Sequence, residues 1–516
     1  MSKQLLKSTS TVSAMTFFSR ILGFIRDMVV AHMFGASAGL DAFLVAFKIP
    51  NFMRRLFAEG AFSQAFVPVL SETVAVKSQP EVQFLIDRVC GCLLLVLTLI
   101  TILGCVGAPF LITLFAPGFN ENPKQFALAS EMLRWTFPYL LLISMTAFFS
   151  GIQNAHNRFA LPALTPVLLN ISMIFAALYL TGFAADPVIA LAWGVLLGGF
   201  LQLFFQLPAI YKLGLLPKPK IAFFDPNVKK VLKLMLPALI GASVMQINLL
   251  VDTIFASFLP AGSLTWLYYS DRLLEFPVGM FGVALATVVL PHLSKQYANK
   301  NDYAFSDSID WAFRVILLIG IPCTLGLILL AKPILSTLFQ YGRFTAQDVI
   351  FTSYSLMALS LGLVGFLVVK IMVSAFYARQ NTKLPLKVAL VAISCNVIFN
   401  FILIGPFKHA GLALASTLSQ AVQLSILLYV LLKLKHYMPS KGWLKYVFRL
   451  VLANTCMIAF LVVLSPEADA WLENSGLWRG YQLGILVAGS VVVYGAALWV
   501  VGLRFTHFNM RALSQS

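Results

Sequence analysis

The sequence predicts an all-α integral membrane protein of about fourteen transmembrane helices, arranged as two parallel six-helix repeats around a central cavity, with two extra C-terminal helices. Three observations support this fold class. The chain of 516 residues is 59% hydrophobic and only 11% charged. Its apolar residues form long continuous runs, and its two halves contain matching segments.

The composition excludes a soluble protein. Soluble domains typically contain about 45–50% apolar and roughly 25% charged residues, so this chain has less than half the usual charge. That is too little polar surface to keep a globule of this size dissolved. Soluble enzymes, disordered chains and small disulfide scaffolds are therefore excluded.

The apolar runs have the length of membrane-spanning helices, for which about 20 residues are needed to cross about 30 Å of hydrocarbon. They are continuous, whereas the strands of a membrane barrel alternate in polarity. The runs are centred near Leu22, Phe52, Val96, Leu140, Ser172, Val195, Met245, Val283, Ile319, Val364, Val397, Leu418, Met457 and Val491.

The net charge of +17, from 37 Lys and Arg against 20 Asp and Glu, has two explanations. Cytoplasmic loops of membrane proteins are rich in cations, and buried cations can also hold an anionic substrate. With the N-terminus inside, about 24 cations fall in cytoplasmic segments and about 5 in external ones. We therefore expect both termini in the cytoplasm, an uncleaved first span and no nucleic-acid partner.

Three pairs of segments reveal an internal repeat with an offset of about 223–224 residues. About six spans separate the copies, so both copies have the same orientation in the membrane. The matching pairs are Leu114–Phe119 with Leu338–Phe344, Asn157–Pro162 with Asn381–Pro385, and Val67–Glu72 with Leu290–Lys295.

The repeat predicts four consecutive segments. Residues 1–216 form an N-lobe with helices 1–6, and residues 217–234 form a basic cytoplasmic linker. Residues 235–437 form a C-lobe with helices 7–12, and residues 438–516 hold helices 13 and 14 and the C-terminus. Repeated bundles around a central cavity are typical of alternating-access transporters.

Charged side chains lie within the first two predicted spans, where each costs about 2.5–3.5 kcal/mol and usually marks function. Five cations accompany three acids, so the surplus predicts an anionic ligand, and Arg is well suited to phosphate. Alternatively, some of these charges lie at the membrane surface or form structural ion pairs, such as Arg26–Asp27 and Arg55–Glu59. The charged residues are Arg20, Arg26, Asp27, Asp41, Lys48, Arg54, Arg55 and Glu59.

The second repeat contributes two further constellations. Asp271, Arg272 and Glu275 predict a gate cluster that pairs with the cations of the first repeat, or else an ion-pair network at the cytoplasmic end. The second set could hold Na⁺ or relay H⁺, or could hydrogen-bond helices to one another. It comprises Asp252, Asn396, Asn400 and Thr417.

Several motifs are absent from the sequence. It contains no G-x-x-x-x-G-K-[ST] loop for nucleotide phosphates and no H-E-x-x-H metal motif. Its six cysteines are scattered through apolar segments. We therefore expect no cofactor beyond a coupling ion, Na⁺ or H⁺, and no enzymatic activity.

Two segments closely resemble the MurJ (MviN) family of the multidrug/oligosaccharidyl-lipid/polysaccharide exporter superfamily, and the similarity covers essentially the whole chain. The first segment runs from Arg26-Asp27 through Phe34-Gly35-Ala36, Asp41-Ala42-Phe43 and Pro50-Asn51 to Arg54-Arg55-Leu56-Phe57-Ala58-Glu59-Gly60-Ala61-Phe62-Ser63. The second is Tyr268-Tyr269-Ser270-Asp271-Arg272-Leu273-Leu274-Glu275-Phe276-Pro277.

The resemblance implies a flippase in the bacterial inner membrane. Its substrate would be lipid II, the undecaprenyl-pyrophosphate-linked peptidoglycan precursor, moved from the cytoplasmic to the periplasmic leaflet by alternating access. Membrane potential or an ion gradient would drive it. The alternatives are an ion-coupled multidrug exporter or another polyprenyl-linked oligosaccharide exporter of the same superfamily and, from another class, a polyprenyl-phosphate glycosyltransferase.

The resemblance also implies roles for individual residues. Arg20, Arg26, Asp41 and Arg55 would face the cavity and meet the pyrophosphate, and helices 13 and 14 would form a groove for the lipid tail. We extend the substrate site to Lys48, Arg54, Glu59 and Arg272, and assign Asp27, Asp271 and Glu275 to the gate. Expected partners are lipid II, membrane lipids and the cell-wall synthesis machinery, with the protein itself a monomer.

Overall fold

A computed structural model describes the backbone of residues 3–55 and 62–503, and the side chains of residues 15–55, 62–236, 239, 250–282 and 284–503. Every regular element in this part of the chain is helical, which confirms the all-α prediction. The helices are α1 Lys3–Phe34, α2 Ala38–Arg54, α3 Ser63–Val76, α4 Gln79–Val106, α5 Ala108–Phe115, α6 Pro123–Thr136, α7 Tyr139–Ala155, α8 Ala160–Phe175, α9 Ile189–Lys212, α10 Pro226–Ala256, α11 Ser263–Pro277, α12 Val283–Ala298, α13 Asp302–Leu329, α14 Ala331–Phe339, α15 Ala346–Ser360, α16 Leu363–Ala378, α17 Lys383–Lys433, α18 Trp443–Leu464, α19 Ala468–Glu473 and α20 Gly476–Val500.

Nine helical segments in the described residues are long and apolar enough to cross a membrane, or ten if the bent pair α15 and α16 forms one span. The protein is therefore a multi-pass membrane protein, while the predicted number of about fourteen helices is not confirmed. One reason for the difference is α17, a single helix of 51 residues that is broken by non-helical backbone at Lys408. The predicted centres Val397 and Leu418 lie on either side of this break.

The chain divides into two compact units. Unit 1 contains Met1–Thr265 and Tyr341–Phe344, and unit 2 contains Trp266–Gln340 and Thr345–Ser516. This division differs from the predicted segments, because the linker, α10 and one loop of the second repeat belong to unit 1. The predicted boundaries at 216, 234 and 437 stay predictions.

In unit 1, α8 lies between α1 and α9, and α2 packs against α6. Its apolar core joins α3, α4 and α7, with the fully buried rings of Phe66 and Phe148 at a centroid distance of 5.0 Å. Burial of such rings contributes about 1.5–3 kcal/mol each, so this core holds α3, α4 and α7 together.

In unit 2, α13 packs against α16, and α18 packs against both α13 and α20. The core of this unit includes Phe305, Ile316, Leu363 and Phe376. A separate cluster around the fully buried Trp471 joins α18 and α20 to Leu330 at the end of α13. The two C-terminal helices are therefore part of unit 2.

Capping residues set several helix starts near the charged residues. Ser37 adopts extended backbone before α2, and its hydroxyl accepts a hydrogen bond from the backbone N–H of Leu40 at 3.2 Å. Such a cap satisfies one of the donors left open at a helix start. It places Asp41 in the first turn of α2, close to the loop that follows α10.

Candidate functional site

The guanidinium of Arg26 lies in a nearly buried polar cluster between α1 and α8. It donates to Oδ1 of Asp27 from Nε at 3.0 Å and from Nη2 at 2.6 Å, and to Oδ1 of Asn170 at 3.1 Å. The two side chains of the ion pair are only 11% and 2% exposed. The alternative of a structural Arg26–Asp27 pair is therefore realised in this state, and Asp27 balances one of the five cations.

Asn170 was not among the predicted site residues. Its amide Nδ2 donates to the backbone oxygen of Ser19 at 3.2 Å, while its Oδ1 accepts from Arg26. Asn170 thus connects α8 to α1 through both atoms of its amide group. The signal in the sequence was a single Asn within a long apolar run, where an amide needs a partner.

Arg20 and Arg55 are the predicted cavity cations that have no hydrogen bond or ion pair with another described residue. Arg20 is exposed one and a half turns before Arg26 on α1, and Arg55 is partly exposed just after α2. Glu59, the predicted partner of Arg55, lies outside the described residues. A guanidinium without a neighbouring carboxylate can accept an anionic ligand in two-point contact.

Lys48 and Arg54 lie near the end of α2, on either side of Pro50, and both are partly exposed. Nε of Arg54 donates to Oδ1 of Asn51 at 2.9 Å, one turn earlier on the same helix. Both cations have further interactions, so the available positive charge of this region rests chiefly on Arg20 and Arg55.

The carboxylate of Asp41 is buried against the start of α11 and is 2% exposed. Its Oδ1 accepts from the N–H of Thr265 at 2.8 Å and from Oγ1 of Thr265 at 2.6 Å, and its Oδ2 accepts from the N–H of Gly262 at 2.6 Å. Both oxygens are thus engaged by donors of one loop. A substrate-binding role for Asp41 stays a prediction. In the structure, its contacts hold the loop between α10 and α11 against the start of α2.

Thr265 and Gly262 were not predicted, although the sequence contained a signal for them. Thr265 follows Asp41 by 224 positions, which is the offset of the internal repeat. Residues at equivalent positions of a two-fold arrangement contact each other when they lie on its axis. Searching the repeat for complementary pairs, such as an acid opposite a hydroxyl, would have found this contact.

The predicted gate residues of the second repeat lie on α11 in unit 2. Nη1 of Arg272 is 3.6 Å from Oε2 of Glu275, whose side chain is 63% exposed, and Asp271 is also exposed. A pair this exposed contributes little stability, about 0–1 kcal/mol. Its predicted pairing with cations of the first repeat stays a prediction.

The predicted ion site divides between the two units, with Asp252 in unit 1 and its three partners in unit 2. Nδ2 of Asn400 donates to Oδ1 of Asn396 at 3.1 Å, and Nδ2 of Asn396 donates to Oγ of Ser416 at 3.3 Å. These contacts fit the alternative of hydrogen bonds between helical segments.

The hydroxyl of Thr417 donates to the backbone oxygen of Ala358 at 2.8 Å, so it joins α17 to α15. Within the described ranges, no group of three or more His, Cys, Asp or Glu side chains could hold a metal ion. The side chains of Asn396, Asn400 and Thr417 offer neutral amide and hydroxyl oxygens, a ligand type suited to hard cations.

Comparisons with known proteins assign the family. The family described as lipid II flippase MurJ matches residues 30–482. A probable lipid II flippase MurJ of Haemophilus influenzae is 44% identical over 506 residues, covering 96% of this chain and 99% of its own. The lipid II flippase MurJ of Burkholderia cenocepacia is 37% identical and covers 98% of this chain and 99% of its own.

Solved structures agree with the sequence relatives. A lipid II flippase MurJ in an inward closed conformation has a TM-score of 0.79 and 30% identity, covering 95% of this chain and 99% of its own. An inward-facing multidrug resistance transporter described as a member of the MOP superfamily has a TM-score of 0.67 at 14% identity, which indicates a shared fold only. Since relatives match nearly their full length, the chain belongs to the lipid II flippase MurJ family, whose members are transporters and not enzymes.

Proposed function

We propose that this chain is a flippase that moves lipid II from the cytoplasmic to the periplasmic leaflet of the bacterial inner membrane, with both termini in the cytoplasm. The observation that carries the proposal is the similarity to lipid II flippases along almost the whole chain. The likeness to the multidrug transporter extends to the fold alone, and therefore gives no support for a drug substrate. The fourteen helices, the two lobes and the monomeric state belong to this proposal.

The pyrophosphate of lipid II would bind the cations of α1 and α2. Arg20 and Arg55 support this assignment, because no described carboxylate occupies them. Arg26 would act differently, since Asp27 and Asn170 already surround it. It would contribute to the potential of the site, while direct two-point contacts with phosphate oxygens would come from Arg20 and Arg55.

Opening and closing of the cavity would follow from a difference in the affinity of the open and closed states for the lipid headgroup. A headgroup that interacts better with the closed state shifts the equilibrium toward it by the difference in affinity. In the proposed cycle, the carboxylates of Asp271 and Glu275 pair with cations near the cytoplasmic end when the substrate site closes there. The lipid tail would stay in the membrane along α18 and α20.

Transport would be driven by membrane potential or by an ion gradient. An inside-negative potential favours outward movement of an anion by about 2.3 kcal/mol per charge per 100 mV. A coupling cation, Na⁺ or H⁺, would bind near Asn396 and Asn400.

Replacing Na⁺ by choline at constant potential and pH distinguishes Na⁺ coupling from the other two driving forces, because only Na⁺ coupling loses its driving force in choline.

The experiment that tests the function is lipid II translocation in vesicles of purified protein, with a second sample loaded with a cationic drug. The proposal expects lipid II to change leaflet without chemical change and the drug to remain in place. Drug efflux without lipid movement would instead support the multidrug exporter. A chemically altered lipid would support an enzyme, and no movement of either would contradict the proposal.

A further inference from the structure

The linker between α9 and α10 is fastened along α4. Oδ1 of Asp87 accepts from the N–H of Lys218 at 2.8 Å, and the backbone oxygen of Asp87 accepts from the N–H of Lys220 at 3.0 Å. One turn further, Sγ of Cys92 accepts from the N–H of Ala222 at 3.3 Å. These three backbone donors hold the linker against α4.

The end of the linker is fixed by an ion pair. Asp225 pairs with Arg88 of α4 and also accepts from the N–H groups of Asn227 and Val228 at the start of α10. A side chain at Gly91 would overlap the backbone of Lys220, so the linker lies directly on α4. The linker is therefore an ordered strap, not a loose tether.

The outer face of this strap carries isolated apolar side chains. Leu216 is 46% exposed, Ile221 is 64% exposed and Phe224 is 87% exposed. The bonds to α4 come from the linker backbone, and these three side chains lie on the surface. Exposing an aromatic ring to this extent in water costs free energy, which insertion into the apolar part of a membrane would remove.

The same surface carries a strong positive charge. Oε2 of Glu72 binds Lys230 at 2.7 Å, and the carboxylates of Asp87 and Asp225 are used by the strap itself. The other lysines here are exposed and have no ion pair with a described residue. They are Lys212, Lys218, Lys220, Lys229 and Lys233.

We propose that the strap between α9 and α10 binds acidic phospholipid headgroups, with the lysines on the phosphates and Leu216, Ile221 and Phe224 in the acyl boundary. Clusters of basic residues beside a membrane helix bind anionic lipid surfaces, and interspersed large apolar residues insert at the same depth. The strap directly follows α9, one of the helices able to cross the membrane. This surface adds a lipid interaction to the proposed function and does not depend on which substrate is flipped.

An acidic cytosolic protein is the alternative occupant, and the observations favour lipid. The three apolar side chains lie close in sequence to exposed lysines, and large apolar residues mixed with basic ones are typical of an interfacial anchor. Nζ of Lys229 also lies 5.3 Å from the ring centroid of Phe224, so the charged group and the aromatic ring lie side by side on the same surface.

The first test measures the lipids retained by purified full-length protein from vesicles of equal phosphatidylglycerol and phosphatidylcholine. The test variant replaces Lys212, Lys218, Lys220, Lys229 and Lys233 by Gln. A matched control replaces Lys383, Lys387, Lys435, Lys441 and Lys445, which are also exposed, and so loses the same charge elsewhere. We expect wild type and control to enrich phosphatidylglycerol at least about threefold, and the linker variant to approach the bulk ratio.

The second test places a spin label at Phe224→Cys in a background without the six native cysteines, in nanodiscs of the same lipids. We expect the label to be more accessible to oxygen than to a water-soluble nickel complex, which places it in the acyl boundary. Equal lipid enrichment in the linker variant, or a label accessible mainly to nickel, would overturn the proposal. Lipid II flipping is measured separately, so its loss would contradict the function and not the lipid surface.

Discussion

Asp41 and Thr265, which stand 224 positions apart, share two hydrogen bonds of 2.8 and 2.6 Å in the interior of unit 1. They lie in the first turns of α2 and α11, which follow the first helix of each predicted repeat. One contact thus joins the starts of α2 and α11, which the predicted repeat makes equivalent. In the proposed orientation this contact lies at the periplasmic end.

We predict that Asp41→Asn destabilises the protein. The amide retains one acceptor but presents an N–H₂ group to donors of Gly262 or Thr265, and hydrogen bonds to a charged group contribute about 1.5–3 kcal/mol each. Thr265→Val loses only the hydroxyl bond and keeps the backbone bond, so its effect should be smaller. Thermal unfolding in one detergent measures both, and an equal Tm for Asp41→Asn and wild type would contradict the contact.

A second contact between distant segments of unit 1 involves two glycines with left-handed backbone. The N–H of Arg343 donates to the backbone oxygen of His32 at 2.9 Å, near the end of α1. Gly342, with φ of 59°, and Gly35, with φ of 60°, stand on the two sides of this bond. A Cβ at either glycine would overlap the backbone of the other segment.

Gly342→Ala should therefore destabilise the protein by at least about 1–2 kcal/mol, from the left-handed conformation alone. Gly405→Ala is the matched control, because a Cβ there meets no atom within 4 Å and the residue lies in α17. A lower Tm for Gly342→Ala with an unchanged Tm for Gly405→Ala is the expected result. An equal Tm for both variants would show that the stability of the protein does not depend on a glycine at position 342.

Asp310 connects α13 to the segment before α18. Its oxygens accept from the hydroxyl of Tyr437 at 2.9 Å, from Oγ of Ser440 at 2.7 Å, from Nε1 of Trp443 at 2.6 Å and from Nε of Arg314 at 2.8 Å. Burial, followed by the charge of Asp310, raises the pKa of Tyr437 well above its usual value, so its hydroxyl stays a donor.

Asp310→Asn should release the segment between α17 and α18, because the amide repels several of these donors. We expect faster tryptic cleavage at Lys435 and Lys441, both exposed in this segment, and a loss of about 2–4 kcal/mol of stability. Asp307→Asn, one turn earlier and exposed, should cleave like wild type. Similar cleavage rates for the two variants would contradict the role of Asp310.

Substitutions of Arg20 and Arg26 should have different effects, the first on substrate binding and the second on the stability of the protein. Arg26→Gln leaves Asp27 buried without its cation, and breaking such a pair typically costs about 3–5 kcal/mol. Arg20→Gln removes an exposed side chain and should change the Tm little, within the usual range of about ±0.5 kcal/mol for surface changes. If Arg20→Gln unfolded as readily as Arg26→Gln, the assignment of the two cations would be wrong.

The sequence was most informative where physical constraints are strong. Long apolar runs predict helices because backbone groups in lipid need internal partners, and every regular element in the described residues is helical. The Arg26–Asp27 pair was predicted as one alternative, since adjacent opposite charges in an apolar run need each other. The offset of the predicted repeat was visible in the sequence, but the contact of Asp41 with Thr265 follows from their packing in unit 1.

Other features depended on tertiary contacts that no local pattern contains. Asn170 contacts Arg26 across a separation of 144 residues, so only the packing of α8 on α1 reveals it. Thr417 donates to a backbone oxygen, an acceptor that every residue carries and that the sequence cannot single out. The inclusion of Tyr341–Phe344 in unit 1 likewise follows from loop packing and not from hydrophobic periodicity.

The most direct test of the account is lipid II flipping in reconstituted vesicles by wild type, Arg20→Gln and Lys124→Gln, with Tm measured in parallel. Lys124 is an exposed cation at the start of α6 and serves as the charge-matched control. We expect flipping by wild type and Lys124→Gln, and flipping at least about tenfold slower for Arg20→Gln at unchanged Tm, because a two-point phosphate contact is lost. Flipping by Arg20→Gln at the wild-type rate would contradict the claim that this cation meets the pyrophosphate.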